Sequence, residues 1–341
     1  MRKFTQKDRL LAVARKQEVD KPPCICPGGM MNMISRDIMV KSGCLWPEAH
    51  MDSEKMAALT YALNEAGGFE NYGVPFCMTV EAEAMGAKVN MGDLICEPHV
   101  VDSPLKSTSQ VNLLKQIDVN SGRVKVVLDA IKILKAKNTD VPIIGNVTGP
   151  VSTAGTLVDM SVLMREFRKK PVDAEKLLNF IVENLVVYAK AQVSAGADVV
   201  CISEPSGTGE ILGPKIFRDF TIKYVNRVLD AVDVPVKIVH ICGKLKRVYQ
   251  IIPEFHSNIF SFDAIVPIME IKPFIPEMAV MGNVSSFALG EVSSEKVKSL
   301  VKLAMTKGAD VVAPACGLST TTPLINIQTM VETTKQENVS L

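Results

Sequence analysis

Short β-branched runs alternate along this chain with longer stretches of helical periodicity. The runs at 23–27 (PCICP), 70–76 (ENYGVPF), 141–148 (VPIIGNVT), 198–203 (DVVCIS), 234–242 (VPVKIVHIC), 259–263 (IFSFD), 280–284 (VMGNV) and 310–316 (DVVAPAC) are largely apolar. Most close on Gly, Pro or Asn, which predicts strands buried on both faces. Between them lie amphipathic or apolar helical stretches such as 174–195 and 295–307, followed by Gly196 and Gly308, where a chain leaving a helix needs positive φ. Eight β/α units in series predict an α/β fold with a parallel sheet, closed as a (β/α)8 TIM barrel. An open doubly wound sheet fits the alternation almost as well, and the barrel is the preferred reading.

Two segments fall outside the repeat. The first 23 residues (MRKFTQKDRLLAVARKQEVDKPP) mix charges into the apolar positions every few residues, which predicts an amphipathic N-terminal helical extension. Residues 81–106 (EAEAMGAKVNMGDLICEPHVVDSPLK) carry two alternating runs around 90–93 and no helix of useful length. They predict a β-hairpin inserted after the second strand, near the C-terminal mouth of the barrel, where a lid belongs.

Composition narrows the partners. The 341 residues read as a single domain spanning 1–341, because barrels of this kind accept insertions beyond their usual ~250 residues. A net charge of +1 argues against nucleic acid as a partner. No uninterrupted apolar span of ~20 residues is present to cross a membrane, and no secretory leader is visible, so a cytoplasmic protein is expected. The eight cysteines are spread from Cys24 to Cys316 and do not form the dense framework of a small secreted domain. They are expected to be thiols, buried small groups or metal ligands.

The sharpest local signal is V-H-I-C-G. His240 and Cys242 stand at i and i+2 of an apolar strand that ends at Gly243, so strand alternation aims both to one face. In a barrel that face is the interior, at the C-terminal mouth where this fold keeps its active sites. Cys316, in A-P-A-C-G, closes the last strand with the same Cys-Gly ending. One imidazole and two thiolates suit zinc, and three protein ligands leave a position open, as catalytic zinc requires. Packed core residues at a strand end are the competing account of each of the three taken singly.

The H-x-C followed by a distant Cys resembles the zinc motif of the methylcobamide:coenzyme M methyltransferases, within the uroporphyrinogen decarboxylase-like superfamily. The resemblance extends over SGCLWPEAHMDSEKMA (42–57), VPFCMTVEAEAMGA (74–87), GNVTGPVSTAG (145–155), EPSGTGEILGPKIFRDF (204–220), VHICGK (239–244), MGNVSS (281–286) and VVAPACGLSTTTPLINI (311–327). It implies a barrel, Zn2+ held by His240, Cys242 and Cys316, and a methylcorrinoid carried by a partner corrinoid protein as methyl donor. The implied acceptor is a thiol such as coenzyme M, with tetrahydrofolate or another small acceptor as an alternative. A thiolate attacking a methyl on Co(III) expels Co(I), so a reducing, anaerobic setting is expected. Metal coordination lowers a thiol pKa from about 8.5 and so supplies the nucleophile.

Further candidates lie at the same strand ends. Asp263, closing the sixth strand, is a candidate to fill the open zinc position as a displaceable oxygen ligand; capping a helix or pairing with a nearby cation is the competing account. Glu204 after the fourth strand and Asn283 in the seventh are expected either to touch acceptor or corrinoid, or to orient their own loops. Of Glu81 and Glu83 at most one is expected to point inward. Cys24 and Cys26 form a C-x-C on the first strand, with Cys26 a minor candidate ligand. Cys44, Cys77, Cys96 and Cys201 read as small apolar residues, and His50, His99 and His256 as structural. Met30, Met31 and Met33 either line the corrinoid face or pack. Two alternatives remain: a methyltransferase of the opposite direction, demethylating a methylated growth substrate onto the corrinoid protein, and uroporphyrinogen decarboxylase activity. The enzymes with that activity resemble one another in an arginine-bearing segment after the first strand, and PCICPGGMMNMIS has no Arg.

Overall fold

A computed structural model describes residues 4–137 and 140–336. Its strands are β1 (Tyr72–Val74), β2 (Lys88–Asn90), β3 (His99–Asp102), β4 (Ile143–Thr148), β5 (Val199–Ser203), β6 (Val236–Ile241), β7 (Ile259–Phe262), β8 (Ala279–Val284) and β9 (Val311–Pro314). Seven of them form one all-parallel sheet in the order β1-β4-β5-β6-β7-β8-β9. Helices connect them, and all five residues of β5 and all six of β4 are buried, as the unbroken apolar runs require.

The ring is closed by residues 23–27, which form a single bridge rather than a regular strand. Cys24 pairs in parallel with Val312, with Ile25 N donating to Val312 O at 3.0 Å and Val312 N to Pro23 O at 2.9 Å. Pro23 and Pro27 have no N–H to give, so a full ladder is impossible here. On the β1 side the side chain of Asn71 takes over. Its Oδ1 accepts from Cys26 N (3.0 Å) and its Nδ2 donates to Cys26 O (2.8 Å), standing in for two backbone hydrogen bonds of the ladder. Glu70 does the same for Cys24 N at 3.0 Å. The close passage of this segment explains Gly73, where a Cβ would lie 2.1 Å from Pro27 O. The eight-fold barrel holds, with its first predicted strand replaced by a proline-limited closure.

The predicted N-terminal helix is Gln6–Ala14, capped by Thr5. Lys7 pairs with Asp198 at the start of β5, and Arg9 with Asp20 and with Glu70 just before β1. It therefore covers the N-terminal face of the barrel and leaves the opposite mouth for chemistry.

The 81–106 insertion differs in part from its prediction. Its start is helical (Val80–Ala84), and only β2 and β3 form the antiparallel pair, with an irregularity between Lys88 and Val89. Two anchored carboxylates account for the helical turn. Glu81 accepts from Thr148 N at 2.8 Å, and Glu83 accepts from the buried Arg123. The hairpin does reach the C-terminal mouth: Thr320 Oγ1, in the loop after β9, donates to Ile95 O at 3.1 Å. Among the described residues no helix is long and apolar enough to cross a membrane.

Candidate metal centre

β6 delivers His240 at its penultimate position and Cys242 one residue past its end, while Cys316 follows β9 by two residues. Their side chains converge across the mouth. His240 Nε2 lies 3.1 Å from Cys242 Sγ, Cys242 Sγ lies 3.6 Å from Cys316 Sγ, and the three donor atoms are all within 4.8 Å of one another. A disulfide needs about 2.05 Å. Two sulfurs at ~2.3 Å from one tetrahedral ion stand roughly 3.8 Å apart, so the observed spacing fits ligands of a shared metal.

The surroundings prepare each donor. His240 is fully buried, and its Nδ1 is 2.9 Å from Ser261 Oγ, the residue laterally paired with it on β7. The Ser261 hydroxyl in turn donates to Met31 Sδ at 3.9 Å. With that proton directed to sulfur, Ser261 Oγ accepts from Nδ1–H, and the Nε2 lone pair is left facing the thiols. Ser286 fixes Cys316 through its backbone, donating to Cys316 O (2.8 Å) and accepting from Cys316 N (3.0 Å).

The two thiols do not share charge equally. A hydrogen bond from Cys242, together with His240 and the Gly317 N–H, lowers Cys316 below the usual thiol range against the opposing effect of burial. The same hydrogen bond to Cys316, then burial and the charge of Asp263, push Cys242 upward.

Comparison with known proteins shows the family of the chain. The family model described as "Uroporphyrinogen decarboxylase (URO-D)" matches residues 5–337. The methylcobamide:CoM methyltransferase MtaA of Methanosarcina barkeri (strain Fusaro / DSM 804) is 35% identical over 97% of this chain and 98% of its own length. MtbA of Methanosarcina acetivorans, also a methylcobamide:CoM methyltransferase, is 34% identical over 98% of this chain and 99% of its own. The solved structure of a methyltransferase from Methanosarcina mazei superposes with a TM-score of 0.90 at 34% identity, covering 98% and 99% of the two chains. The chain belongs to the methylcobamide:CoM methyltransferases of the URO-D family.

Within this methyltransferase the other predicted site residues take varied places. Asp263 is not among the three converging groups. Its Oδ2 accepts from Gly243 N at 3.3 Å and its Oδ1 from Ile265 N at 3.1 Å, which fixes the turn beside Cys242. Glu204 is fully buried and accepts from Val151 N (2.9 Å), Ser152 N (2.7 Å), Gly207 N (3.1 Å) and the Ser152 hydroxyl. Burial pushes its pKa up to about 7, with these donors only partly offsetting it. Asn283 donates to Asp263 O (3.0 Å) and Val266 O (2.8 Å) and so ties β8 to the loop after β7.

The minor candidates resolve toward packing. Cys26 points its S–H at Met31 O, 3.1 Å away, and burial raises it well above the thiol range, so it is no ligand here. Met31 and Met33 are fully buried and pack. Glu81 is the inward carboxylate of its pair and Glu83 the partner of Arg123. Arg123 also donates to Cys77 Sγ (3.3 Å), so Cys77 is more than an apolar filler, and Cys96 is exposed. His256 pairs with Asp230 at 2.8 Å, and buried His50 sits 4.5 Å from the Trp46 ring. Sequence reasoning missed Ser261, Ser286 and Glu97. Ser261 alternates with Asp263 on the same strand and was open to the period-two argument. Glu97, in the hairpin loop, is pushed up to about 8 by burial and, secondarily, the charge of Cys316.

Proposed function

We propose that this chain transfers a methyl group from a methylated corrinoid, carried by a corrinoid protein, to the thiol of coenzyme M, with zinc held by His240, Cys242 and Cys316. The supporting observation is the convergence of those three donors at the barrel mouth of a chain about a third identical, end to end, to enzymes named for that reaction. The acceptor in those names is coenzyme M rather than tetrahydrofolate.

When bound, zinc supplies a Lewis acid that lowers the pKa of an added thiol, bringing a thiolate into reach near neutral pH. The chain's own groups set the terms. Cys242 and Cys316 as thiolates, with neutral His240, offset a 2+ charge, so an acceptor sulfur stays electron-rich. The hydrogen-bond chain from Met31 through Ser261 holds the imidazole tautomer. The acceptor thiolate attacks the methyl carbon, the S–C bond forms, the Co–C bond breaks and its electron pair leaves with cobalt as Co(I). Asp263 holds the turn beside Cys242 through Gly243 N and Ile265 N, and would have to release them to offer zinc an oxygen that a softer thiol would replace. Glu204 and Asn283 act as positioning residues for the loops around the site. Co(I) is readily oxidised, so the proposed reaction calls for an anaerobic or reducing setting.

The test is an anaerobic assay of methylcobalamin with coenzyme M, read by the spectral change from methyl-Co(III) to Co(I). The expected result is turnover that stops on zinc removal and returns with zinc. Loss of a carboxylate from uroporphyrinogen III, or no demethylation with a panel of thiols, would overturn the reading.

A further inference from the structure

The rim around the metal centre presents apolar side chains to solvent at four points. Phe287 is 80% exposed, and Ile95, Ile211 and Ile265 are each 55% exposed. They come from four different segments, and each lies within two residues of a group bonded to a site loop or itself makes that bond. Ile211 follows Glu210, whose Oε2 accepts from Lys244 N at 3.1 Å, two residues beyond Cys242. Ile265 N is held by Asp263, the same carboxylate that holds Gly243 N. Phe287 follows Ser286, which grips Cys316 on both sides of its peptide. Ile95 O accepts from Thr320 Oγ1, four residues after Cys316. Exposed apolar groups on four segments that are each bonded to the loops of one site suit a binding surface.

The reaction says what that surface meets. Displacement at a methyl group requires the attacking sulfur, the carbon and the departing cobalt in line. The corrin plane is perpendicular to the Co–C bond, so it must lie across the mouth. An eight-stranded barrel has an interior filled by side chains and cannot admit the macrocycle. We infer that Ile95, Ile211, Ile265 and Phe287 form the seat for the corrin ring of the methyl donor, touching its methyl- and methylene-bearing edge while the methyl group points toward Cys316. The inference rests on the function proposed above and adds the residues that bind the donor.

The test uses methylcobalamin with the full zinc-loaded chain. Binding is measured by equilibrium dialysis in the dark without thiol, and turnover is measured with coenzyme M. Phe287→Ser and Ile265→Ser should each weaken methylcobalamin binding and raise its KM about tenfold, the loss expected when one large apolar contact is removed. Saturating kcat, the KM for coenzyme M and zinc content should stay at wild-type values. Val172→Ser, an exposed apolar position on the helix Pro171–Ala195, should change nothing. Wild-type binding in both rim variants, a fall in kcat at unchanged KM, or no measurable binding to the wild type would overturn the seat. A wild type that binds methylcobalamin through the rim but moves no methyl to coenzyme M would overturn the proposed function alone.

Discussion

The β6–β9 side of the mouth and the β4–β5 side both end in polar residues at the top of buried strands, yet they serve opposite ends. On the β4–β5 side the Glu204 carboxylate is consumed by four donors from its own neighbourhood, and Asn146 spends its amide on Pro27 O and Val74 O, at 2.8 and 3.0 Å. On the β6–β9 side the Nε2 and two Sγ atoms meet one another, with the Gly317 N–H also on Cys316, and most of the supporting bonds go to Nδ1 and to the Cys316 backbone. A strand-end position makes a residue a candidate. What makes it a ligand is a second atom or a backbone that carries the structural bonds, leaving the donor atom free.

The contrast breaks first at the thiols. Cys316→Ala should lose zinc and lower methyl transfer by more than about a hundredfold, beyond the range seen for supporting groups of a metal site. The fold should persist, since a core of this size does not depend on one ion. Metal analysis beside circular dichroism checks this, and retained zinc would contradict it.

Glu204→Ala should have the converse phenotype. It leaves the buried Val151, Ser152 and Gly207 N–H groups without their acceptor, a loss of about 3–5 kcal/mol in stability, while zinc per folded chain stays at wild type. Denaturant titration and metal analysis separate the two effects. Glu204 also carries a pH signature. Its folded pKa, near 7, lies above the ordinary 4.5, so the folded state binds the extra proton between those values. Stability from this group is present below pH 4.5 and is lost as pH rises through 7. Glu204→Gln should flatten that fall, and an unchanged slope would remove Glu204 as its source.

These differences also mark what the sequence made legible. Strand alternation aimed His240 and Cys242 inward and the paired Cys-Gly endings found Cys316, because period two and Gly punctuation are local properties. Seven strands followed from their apolar runs. The eighth did not close as a strand, because Pro23 and Pro27 remove donors and the substitute, Asn71, acts through its side chain. Glu204 and Asp263 looked alike in sequence; the difference lies in which backbone N–H groups fold back on each. Ser261 and Glu97 depend on contacts between segments remote in the chain.

A smaller effect sharpens the comparison. Ser261→Ala removes the acceptor on His240 Nδ1 and frees the tautomer, so zinc affinity should fall about tenfold. Competition with a zinc chelator measures it, and wild-type affinity would show that Nδ1 does not govern the donor.

The most direct test of the account is zinc K-edge X-ray absorption of the loaded wild type with and without coenzyme M. The account predicts two sulfurs, one imidazole nitrogen and one oxygen at rest, and replacement of that oxygen by a third sulfur on thiol binding. A protein that takes up no zinc, or a shell that stays unchanged with coenzyme M bound, would contradict it.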